Sequence, residues 1–202
     1  MAIVIIDYGA GNAVNVQNAL RKLGIQPIIS SSSAVWKKAD ALIFPGVGSF
    51  GAAMKNLGKN ASELQQLIAE TRLPFIGICL GMQLLLEESE ESSGISGLGI
   101  VKGKAKRFAG SLPVPQIGWN KVSVEKTNCP LFDGLKEPYA YFVHSYYCEP
   151  SDKSIISATT EYGLKFASAF WKDNVYATQF HPEKSGKDGL QILENFIREV
   201  RK

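Results

Sequence analysis

PFIGICLGMQLLL, residues 74–86, is the stretch that decides the fold. Residues 75–78 form a short apolar run typical of a buried strand in a parallel sheet, and a run rich in Leu and Met, typical of a helix, follows. Gly77 and Gly81 stand two positions before and two positions after Cys79. This spacing is the pattern of a nucleophile elbow, a sharp strand-to-helix turn whose close packing favours glycine. We therefore predict that Cys79 is a nucleophile, with the helix N-terminus favouring its thiolate; a small buried core cysteine is the alternative.

The overall composition indicates an ordinary globular protein. The chain has 202 residues, of which 45% are hydrophobic and 20% charged, and no linker divides it, so we predict a single domain over residues 1–202. A net charge of +3 is too small to indicate nucleic-acid or membrane binding. No basic region precedes the first apolar run, which we take as a strand and not a signal peptide. The three cysteines have no C-x-x-C spacing, which argues against a disulfide framework or a zinc site and favours the reducing cytoplasm.

The first half of the chain alternates strands and helices. We expect strands at residues 3–6, 27–29, 41–44 and 75–78, with a helix closed by Gly24 after the first and another starting near Ser62, where Ser62 and Gln65 form a possible capping box. This order predicts an α/β fold with a mostly parallel open sheet and helices on both faces, of the flavodoxin-like type.

The second half has a different pattern. Short strand candidates joined by turns predict an antiparallel extension of the sheet, and an amphipathic helix over residues 189–200 closes the chain. The candidate strands are residues 99–108, 122–125, 139–143, 155–159, 166–170 and 175–180.

Two glycine-rich loops follow strands of the first half. Gly9-Ala10-Gly11 lacks the third glycine of a dinucleotide fingerprint because Val14 stands in its place, so we do not expect nucleotide binding. The loop at residues 45–51 follows the third strand, and ligands of such folds bind at that edge of the sheet. The backbone N–H of Leu80 is one candidate donor for an oxyanion hole, and a second donor could come from Gly46-Val47-Gly48. The alternative is that this loop is a plain tight turn.

Only two histidines, His144 and His181, can serve as a base for Cys79. His181 directly follows a predicted strand, and Pro182 fixes the backbone after it. In an extended segment, residues two apart project to the same side, so Glu183 can accept a hydrogen bond from the ring of His181. We favour the triad Cys79, His181 and Glu183 over a solvent-exposed turn, but the residues alone leave His144 open as the base.

Charged runs carry weaker signals. The glutamate-rich residues 87–91 most simply form a solvated face at a helix C-terminus, where negative charge is unfavourable, and Glu91 is a candidate for a cationic partner. Lys102, Lys104 and Lys106 most simply form the solvated face of a strand.

GICLGMQ (residues 77–83) and HPE (residues 181–183) together resemble the class I, triad-type glutamine amidotransferases. PGVG (45–48), QIGWN (116–120) and FVHSY (142–146) narrow the resemblance to the HisH family, the glutaminase subunits of imidazole glycerol phosphate synthase in histidine biosynthesis. The resemblance runs from Asp7 to the C-terminus. It implies that Cys79 attacks the side-chain amide of glutamine, that His181 carries protons, and that Glu183 orients His181. It further implies that the second oxyanion donor, beside Leu80, is the backbone amide of Val47. The substrate-binding residues that it implies are Gly48, Gln83, His144, Ser145 and Tyr146.

The resemblance also implies a partner and no cofactor or metal. Ammonia would pass through a channel to a (β/α)₈-barrel cyclase subunit in a heterodimer, which makes imidazole glycerol phosphate and aminoimidazole carboxamide ribotide. The implied interface residues are Asn12, Asn15, Gln116, Ile117, Gly118, Trp119, Asn120 and Lys184. Trp119 could instead be a core residue, and its exposure decides between the two. In this family the peptide at Val47 is thought to flip before catalysis, so the isolated chain would hydrolyse glutamine slowly.

Three alternatives remain. Another triad amidotransferase, such as the vitamin B6 glutaminase, would share the triad but would not need Gly118-Trp119-Asn120. A cysteine peptidase or chaperone-like relative would not need the contacts of Gln83 and Ser145 with the glutamine head group. A binding module without activity would not need His181 and Glu183 opposite the elbow.

Overall fold

A computed structural model describes residues 1–9 and 12–201 of the chain. The strands are β1 Ile3–Ile6, β2 Ile28–Ser30, β3 Ala41–Gly46, β4 Phe75–Cys79, β5 Glu88–Ser89, β6 Gly103–Arg107, β7 Gln116–Lys121, β8 Ser123–Val124, β9 Tyr139–His144, β10 Tyr146–Pro150, β11 Ile156–Glu161, β12 Lys165–Lys172 and β13 Val175–Thr178. The helices are α1 Ala13–Lys22, α2 Ser33–Trp36, α3 Phe50–Leu57, α4 Asn60–Glu70, α5 Leu80–Leu84 and α6 Gly186–Val200, with short 3₁₀ turns at Pro130–Phe132, Lys153–Ile155 and Pro182–Lys184.

The main sheet is parallel over the four strands that the sequence predicted to be parallel, and β13 joins them. The prediction that residues 175–180 belong to the antiparallel extension was wrong on this side, because β13 pairs parallel with β4. Strands β2, β1, β3, β4 and β13 lie side by side in this order, and every neighbouring pair among them is parallel. Apart from the edge strand β2, these strands are short runs of buried, mostly apolar residues, which both faces of a helix-covered parallel sheet require. Cys79 at the end of β4 pairs with Gly46 at the end of β3, so the elbow and the glycine loop meet at one sheet edge.

The second half of the chain extends this sheet with antiparallel strands. From β13 the order continues through β12, β10, β6 and β5, and β12 pairs antiparallel with both β13 and β10. A separate two-stranded sheet of β7 and β9 lies outside the main sheet and brings residues 116–121 against residues 139–144. The mixed α/β fold predicted from the sequence is confirmed.

Two buried clusters cover the two faces of the main sheet. One contains Ile3, Ile5 and the α6 residue Phe196; the other contains Val4, Ile6 and the α3 residue Phe50. The alternation of β1 residues between them is the period of two that a strand imposes on its side chains. Within the described ranges, every helix is too short or too polar to span a bilayer.

Several local predictions were wrong. The capping box at Ser62 and Gln65 does not exist, because the helix begins at Asn60 and the Ser62 hydroxyl donates to the carbonyl of Lys59 at 3.0 Å. Short elements α2 and α3 were not predicted, nor were β5, β7 and β10. Of the Gly9–Asn12 turn, Ala10 and Gly11 lie outside the described residues.

Candidate active site

Cys79 sits on a strained turn between β4 and α5. Its φ of 55° and ψ of −108° lie in a region that residues with a side chain rarely adopt, as expected for a nucleophile elbow. A Cβ atom at Gly81 would come 1.9 Å from the carbonyl oxygen of Phe44, and one at Gly77 would come 2.8 Å from the carbonyl oxygen of Gly81. The prediction that close packing requires glycine on both sides of Cys79 is therefore confirmed.

The helix behind the thiol is shorter than the sequence suggested. α5 has five residues, because the carbonyl oxygens of residues 84–86 accept hydrogen bonds from backbone N–H groups of residues 98–101 instead of continuing a helix. Few peptide dipoles are therefore aligned toward Cys79.

His181 and Glu183 form a buried pair next to the elbow. The Nδ1 atom of His181 lies 2.8 Å from the Oε1 atom of Glu183, and both side chains are almost fully buried. Because a carboxylate only accepts, Nδ1 carries the hydrogen and Nε2 is the free ring nitrogen. Burial lowers the pKa of His181, but the thiolate of Cys79 and the Glu183 carboxylate outweigh burial and raise this pKa to about 10.

The turn that carries His181 is held on β9. The backbone N–H of His181 donates to the carbonyl of Tyr141 at 3.0 Å. The hydroxyl of Ser185 donates to the carbonyl of His181 at 2.7 Å and accepts from the N–H of Tyr141 at 2.9 Å. These bonds position the imidazole without using its ring nitrogens.

His144 has the opposite environment. Its Nδ1 atom lies 2.7 Å from the carbonyl oxygen of Tyr146, so Nδ1 donates and Nε2 is an acceptor that has no hydrogen-bond partner among the described residues. Burial lowers the pKa of His144 to about 4, which keeps its ring neutral at neutral pH. Its ring is held by a carbonyl and not a carboxylate, so the geometry favours His181 as the base that the sequence left undecided.

A cavity of about 250 Å³ opens beside Cys79. This volume is below the ~300–1,000 Å³ of sites for drug-sized ligands and suits a single amino acid. Cys79 and all residues predicted for substrate binding or the oxyanion hole line the cavity: Val47, Gly48, Leu80, Gln83, His144, Ser145 and Tyr146. Three further residues that were not predicted for these roles also line it: Glu91, Pro115 and Val143.

Glu91 faces the cavity and also supports the neighbouring helix. Its Oε2 atom accepts a hydrogen bond from the backbone N–H of Phe50, the first residue of α3, at 2.6 Å. Glu87 and Glu90 likewise accept backbone N–H bonds from the two ends of β6, at 3.0 and 2.9 Å. Glu87, Glu88 and Glu90 are exposed to solvent, as the sequence suggested. They flank or lie in the short strand β5 and not a helix end, and three of the four carboxylates also serve as backbone acceptors.

Gln179 is the site residue that sequence reasoning missed. It is fully buried, and its Nε2 atom lies 3.7 Å from the Sγ atom of Cys79. Its place two positions before His181 is a weak local signal, but its contact with Cys79 depends on the pairing of β13 with β4, which no short sequence pattern shows.

The sheet of β7 and β9 presents an apolar face to solvent. Ile117 is 63% exposed, Trp119 55% and Tyr139 54%. Trp119 pairs with Tyr141 across the two strands, and the ammonium group of Lys184 lies 5.7 Å from the centre of the Tyr141 ring. The exposure of Trp119 excludes the core alternative.

The other residues expected at an interface lie in different environments. Asn12 is half-buried, and Asn15 is exposed in a groove that also contains Glu183 and Gly186. Gln116 is fully buried, and its Nε2 atom donates to the Oδ1 atom of Asn120 at 2.9 Å. Gly118 and Asn120 are partly buried on the strand that carries Trp119.

Comparison with known proteins gives a family match over nearly the whole chain. The model of the glutamine amidotransferase class-I family matches residues 4–200. The imidazole glycerol phosphate synthase subunit HisH of Methanocaldococcus jannaschii is 51% identical over 196 residues, which cover 96% of this chain and 98% of the relative. The subunit of the same name from Aquifex aeolicus is 45% identical and covers 100% of this chain and 99% of the relative.

Solved structures show the same fold at lower identity. A crystal structure described as a glutamine amidotransferase is 19% identical, with a TM-score of 0.79 over 99% of each chain. This likeness supports the sheet arrangement and carries no further argument about substrate.

Proposed function

The chain belongs to the class I glutamine amidotransferase family, and within it to the HisH subunits of imidazole glycerol phosphate synthase; from this membership we propose that it hydrolyses glutamine to glutamate and ammonia for a cyclase partner. The observation that carries the proposal is the buried pair of His181 and Glu183 beside Cys79, at the rim of a cavity that suits one amino acid. The match favours an amidotransferase over a cysteine peptidase or a binding module, and the HisH relatives favour this subunit over the vitamin B6 glutaminase.

The proposed reaction forms and breaks one thioester. The thiolate of Cys79 attacks the side-chain carbonyl carbon of glutamine, forming a C–S bond. His181, protonated on Nε2, gives this proton to the leaving nitrogen as the C–N bond breaks, and ammonia is released. His181 then takes a proton from water, whose oxygen attacks the thioester; the C–S bond breaks, and its electrons return to sulfur. Glu183 remains ionised and holds the tautomer of His181 throughout.

The oxyanion of each tetrahedral intermediate needs hydrogen-bond donors at the cavity rim. The backbone N–H groups of Leu80 and Val47 are our candidates, because both residues line the cavity and end neighbouring strands. Gly48 has a φ of 101°, which lets the backbone after Val47 take a turn that a residue with a side chain would resist.

Acceptors for the α-ammonium group of glutamine come from Gln83 and Glu91. Both hydrogens of the Gln83 amide are used within the protein, on the carbonyl of Tyr146 at 3.0 Å and on the Oε1 atom of Gln179 at 3.3 Å. The Gln83 oxygen is therefore the part left for a substrate, and it can accept from an ammonium group. Glu91 adds a negative charge to the same cavity. We place the α-carboxylate toward Ser145 and Gly48, and a hydrogen-bond donor of the substrate against the free Nε2 acceptor of His144.

The partner in this proposal is the (β/α)₈-barrel cyclase subunit, in a heterodimer. The apolar face of Ile117, Trp119 and Tyr139 is what supports docking, because aromatic residues this exposed mark protein contacts. The Ile117 end of this face lies close to the nucleophile, because Ile117 pairs with Val143 on β9, whose carbonyl oxygen lies 4.0 Å from the Sγ atom of Cys79. Ammonia released at Cys79 would have a short path to a protein bound there.

Two further parts of the proposal concern the chain as a whole. One sheet runs through both halves, which supports a single domain over residues 1–202. The three cysteines are free thiols, which supports a reducing compartment such as the cytoplasm.

A glutamine-analogue electrophile tests the function. We expect covalent labelling of Cys79, detected by mass spectrometry of the intact chain and of its peptides, and blocked by excess glutamine. The Cys79→Ser variant should take no label, while Cys129→Ala, which removes a buried thiol outside the cavity, should be labelled as the native chain is. Absence of labelling even with the cyclase subunit present would refute the proposal.

A further inference from the structure

Besides His181 and Tyr8, which interact electrostatically with Cys79, two polar groups lie within 4.0 Å of the sulfur of Cys79 and have opposite chemical roles. The carbonyl of Val143, at 4.0 Å, can only accept, so it interacts favourably with the thiol. The Nε2 atom of Gln179, at 3.7 Å, can only donate, so it interacts favourably with the thiolate. The amide nitrogen of Gln179 would stabilise the thiolate of Cys79, whereas its amide oxygen would stabilise the thiol. The orientation of the Gln179 amide therefore decides which protonation state of Cys79 it stabilises.

The backbone brings Gln179 to this place. Thr178, the last residue of β13, pairs with Ile78 on β4, so the next residue of each strand is Gln179 and Cys79. The backbone N–H of Gln179 donates to the carbonyl of Ser168 at 2.8 Å, which holds its backbone on β12. Its side chain is fully buried and has no access to water as an alternative partner.

The orientation of the Gln179 amide is set by a series of hydrogen bonds that begins at a backbone atom. The carbonyl oxygen of Tyr146 must accept, so the Gln83 atom 3.0 Å away is its nitrogen. The second hydrogen of that nitrogen points to the Gln179 oxygen at 3.3 Å. The thiol of Cys148 donates to the same oxygen at 3.9 Å, and burial raises the pKa of Cys148, which keeps it a donor. With its oxygen occupied by two donors, Gln179 turns its nitrogen toward Cys79.

We propose that Gln179 is a catalytic residue whose Nε2–H group donates a hydrogen bond to the Cys79 thiolate, before attack on glutamine and again when sulfur leaves the thioester. In the second step the C–S bond breaks with its electrons on sulfur, and a fixed donor there stabilises the leaving group. The role of this bond in turnover rests on the glutaminase function proposed above. A hydrogen bond to a charged group in a buried site is stronger than one between neutral groups. Because α5 has only five residues, its dipole is small, and a local hydrogen-bond donor can contribute a larger share of the stabilisation of the thiolate.

Alkylation of Cys79 by iodoacetamide tests this inference without glutamine or a partner. The rate is measured from pH 5 to 10 for the native chain and for Gln179→Met, which keeps the length of the side chain but removes the donor. We expect the pH midpoint of alkylation to rise by about one unit, which makes alkylation about tenfold slower below the midpoint. Gln179→Glu, which presents an acceptor to sulfur, should shift the midpoint further in the same direction. Asn195→Leu, which removes a buried amide bonded to the carbonyls of Leu131 and Asp133, should leave the midpoint unchanged.

A second measurement needs no variant of Gln179. In protein labelled with ¹⁵N-glutamine, one side-chain amide resonance should titrate with the alkylation midpoint of Cys79 and stop titrating in Cys79→Ala. An unchanged midpoint in folded Gln179→Met, or no amide that titrates with the thiol, would overturn the inference. Neither experiment contains free glutamine as a substrate. A failure of the glutaminase function itself would therefore show only in the labelling test with the glutamine-analogue electrophile.

Discussion

His144 and His181 are the two histidines of the chain, and their surroundings drive their pKa values in opposite directions. His181 gains a carboxylate and a thiolate, which raise its pKa to about 10 against burial. His144 gains only a backbone carbonyl, so burial dominates and lowers its pKa to about 4. A proton on His181 therefore stabilises the folded chain, and a proton on His144 destabilises it.

This difference predicts a specific loss of stability in acid. Between pH 6.5 and pH 4 the unfolded chain protonates His144 while the folded chain does not. As the pH decreases through this range, His144 therefore lowers the free energy of unfolding by up to about 3 kcal/mol. The contribution of His181 stays constant in that window, because it is fully present below pH 6.5 and is lost only as pH rises toward 10.

Urea unfolding of the native chain and of His144→Gln, at intervals from pH 4 to 7, measures the effect. Glutamine does not titrate, so we expect the variant to lose about 3 kcal/mol less than the native chain over this range. Parallel losses in the two proteins would show that His144 does not remain neutral in the folded state.

At the scale of elements, the elbow depends on the contact between α5 and β3. Gly81, the second residue of α5, packs against the carbonyl of Phe44. Gly46, which pairs with Cys79, likewise has no space for a side chain, because a Cβ atom there would come 2.7 Å from the backbone nitrogen of Gly81. Spreading β3 and β4 apart would break ladder hydrogen bonds at the edge that carries both the nucleophile and the oxyanion loop.

Gly81→Ala should therefore destabilise the fold far more than an alanine at an open glycine. We expect it to cost more than about 3 kcal/mol in urea unfolding, or to prevent folding, because the new Cβ meets backbone atoms that cannot turn away. Gly134→Ala is the matched control: its φ is 77° but the space around it is open, so about 1 kcal/mol is expected. Equal costs at the two positions would contradict the packing argument.

The parallel strands were predictable from the sequence, and several helices were not. The predicted ends of β1, β3 and β4 agree with the structure within two residues. Short continuous apolar runs that are bounded by glycine, proline or charged residues usually form buried strands. α3 was missed because its cap comes from far along the chain: Glu91 and Ser92 accept the N–H groups of Phe50 and Gly51 at 2.6 and 3.0 Å.

For the site, the residues that the sequence could single out are those whose neighbours in sequence are also neighbours in space. Cys79 with its glycines and His181 with Glu183 are local patterns, and the resemblance supplied the cavity residues. Gln179 depends on the pairing of β4 with β13 and on an amide orientation set by Tyr146, Gln83 and Cys148. No short pattern in the chain encodes that series of contacts.

At the scale of the whole molecule, the catalytic and docking surfaces share one strand. The end of β9 carries Val143 and His144, which line the cavity, while Tyr139 and Tyr141 on the same strand stand beside Trp119 on β7. A partner bound to the apolar face would therefore contact the same strand that lines the substrate cavity. This arrangement gives a partner a mechanical route to the glutaminase site.

Trp119→Ala should weaken the complex with the cyclase subunit without unfolding the chain. Loss of a large exposed aromatic anchor is expected to raise the Kd at least tenfold by isothermal titration calorimetry, with the free energy of unfolding changed by less than about 0.5 kcal/mol. Ile28→Ala, which removes another exposed apolar side chain, on β2 in the main sheet, is the control and should leave the Kd unchanged. A native Kd in Trp119→Ala would place the partner elsewhere.

The carbonyl oxygen of Tyr146 accepts hydrogen bonds from both Gln83 and His144, and this double role limits how the enzyme can be re-engineered. Because the acceptor is a main-chain atom, no substitution at position 146 removes it. The acceptor stays in place as long as β10 begins at this position. A library that randomises position 83 to obtain a new amide specificity would also remove the hydrogen bond that orients Gln179. A selection from that library would then depend on the reactivity of the Cys79 thiol as well as on substrate recognition. Efforts to change the substrate should begin at Ser145 and Glu91, which line the same cavity outside that series of hydrogen bonds.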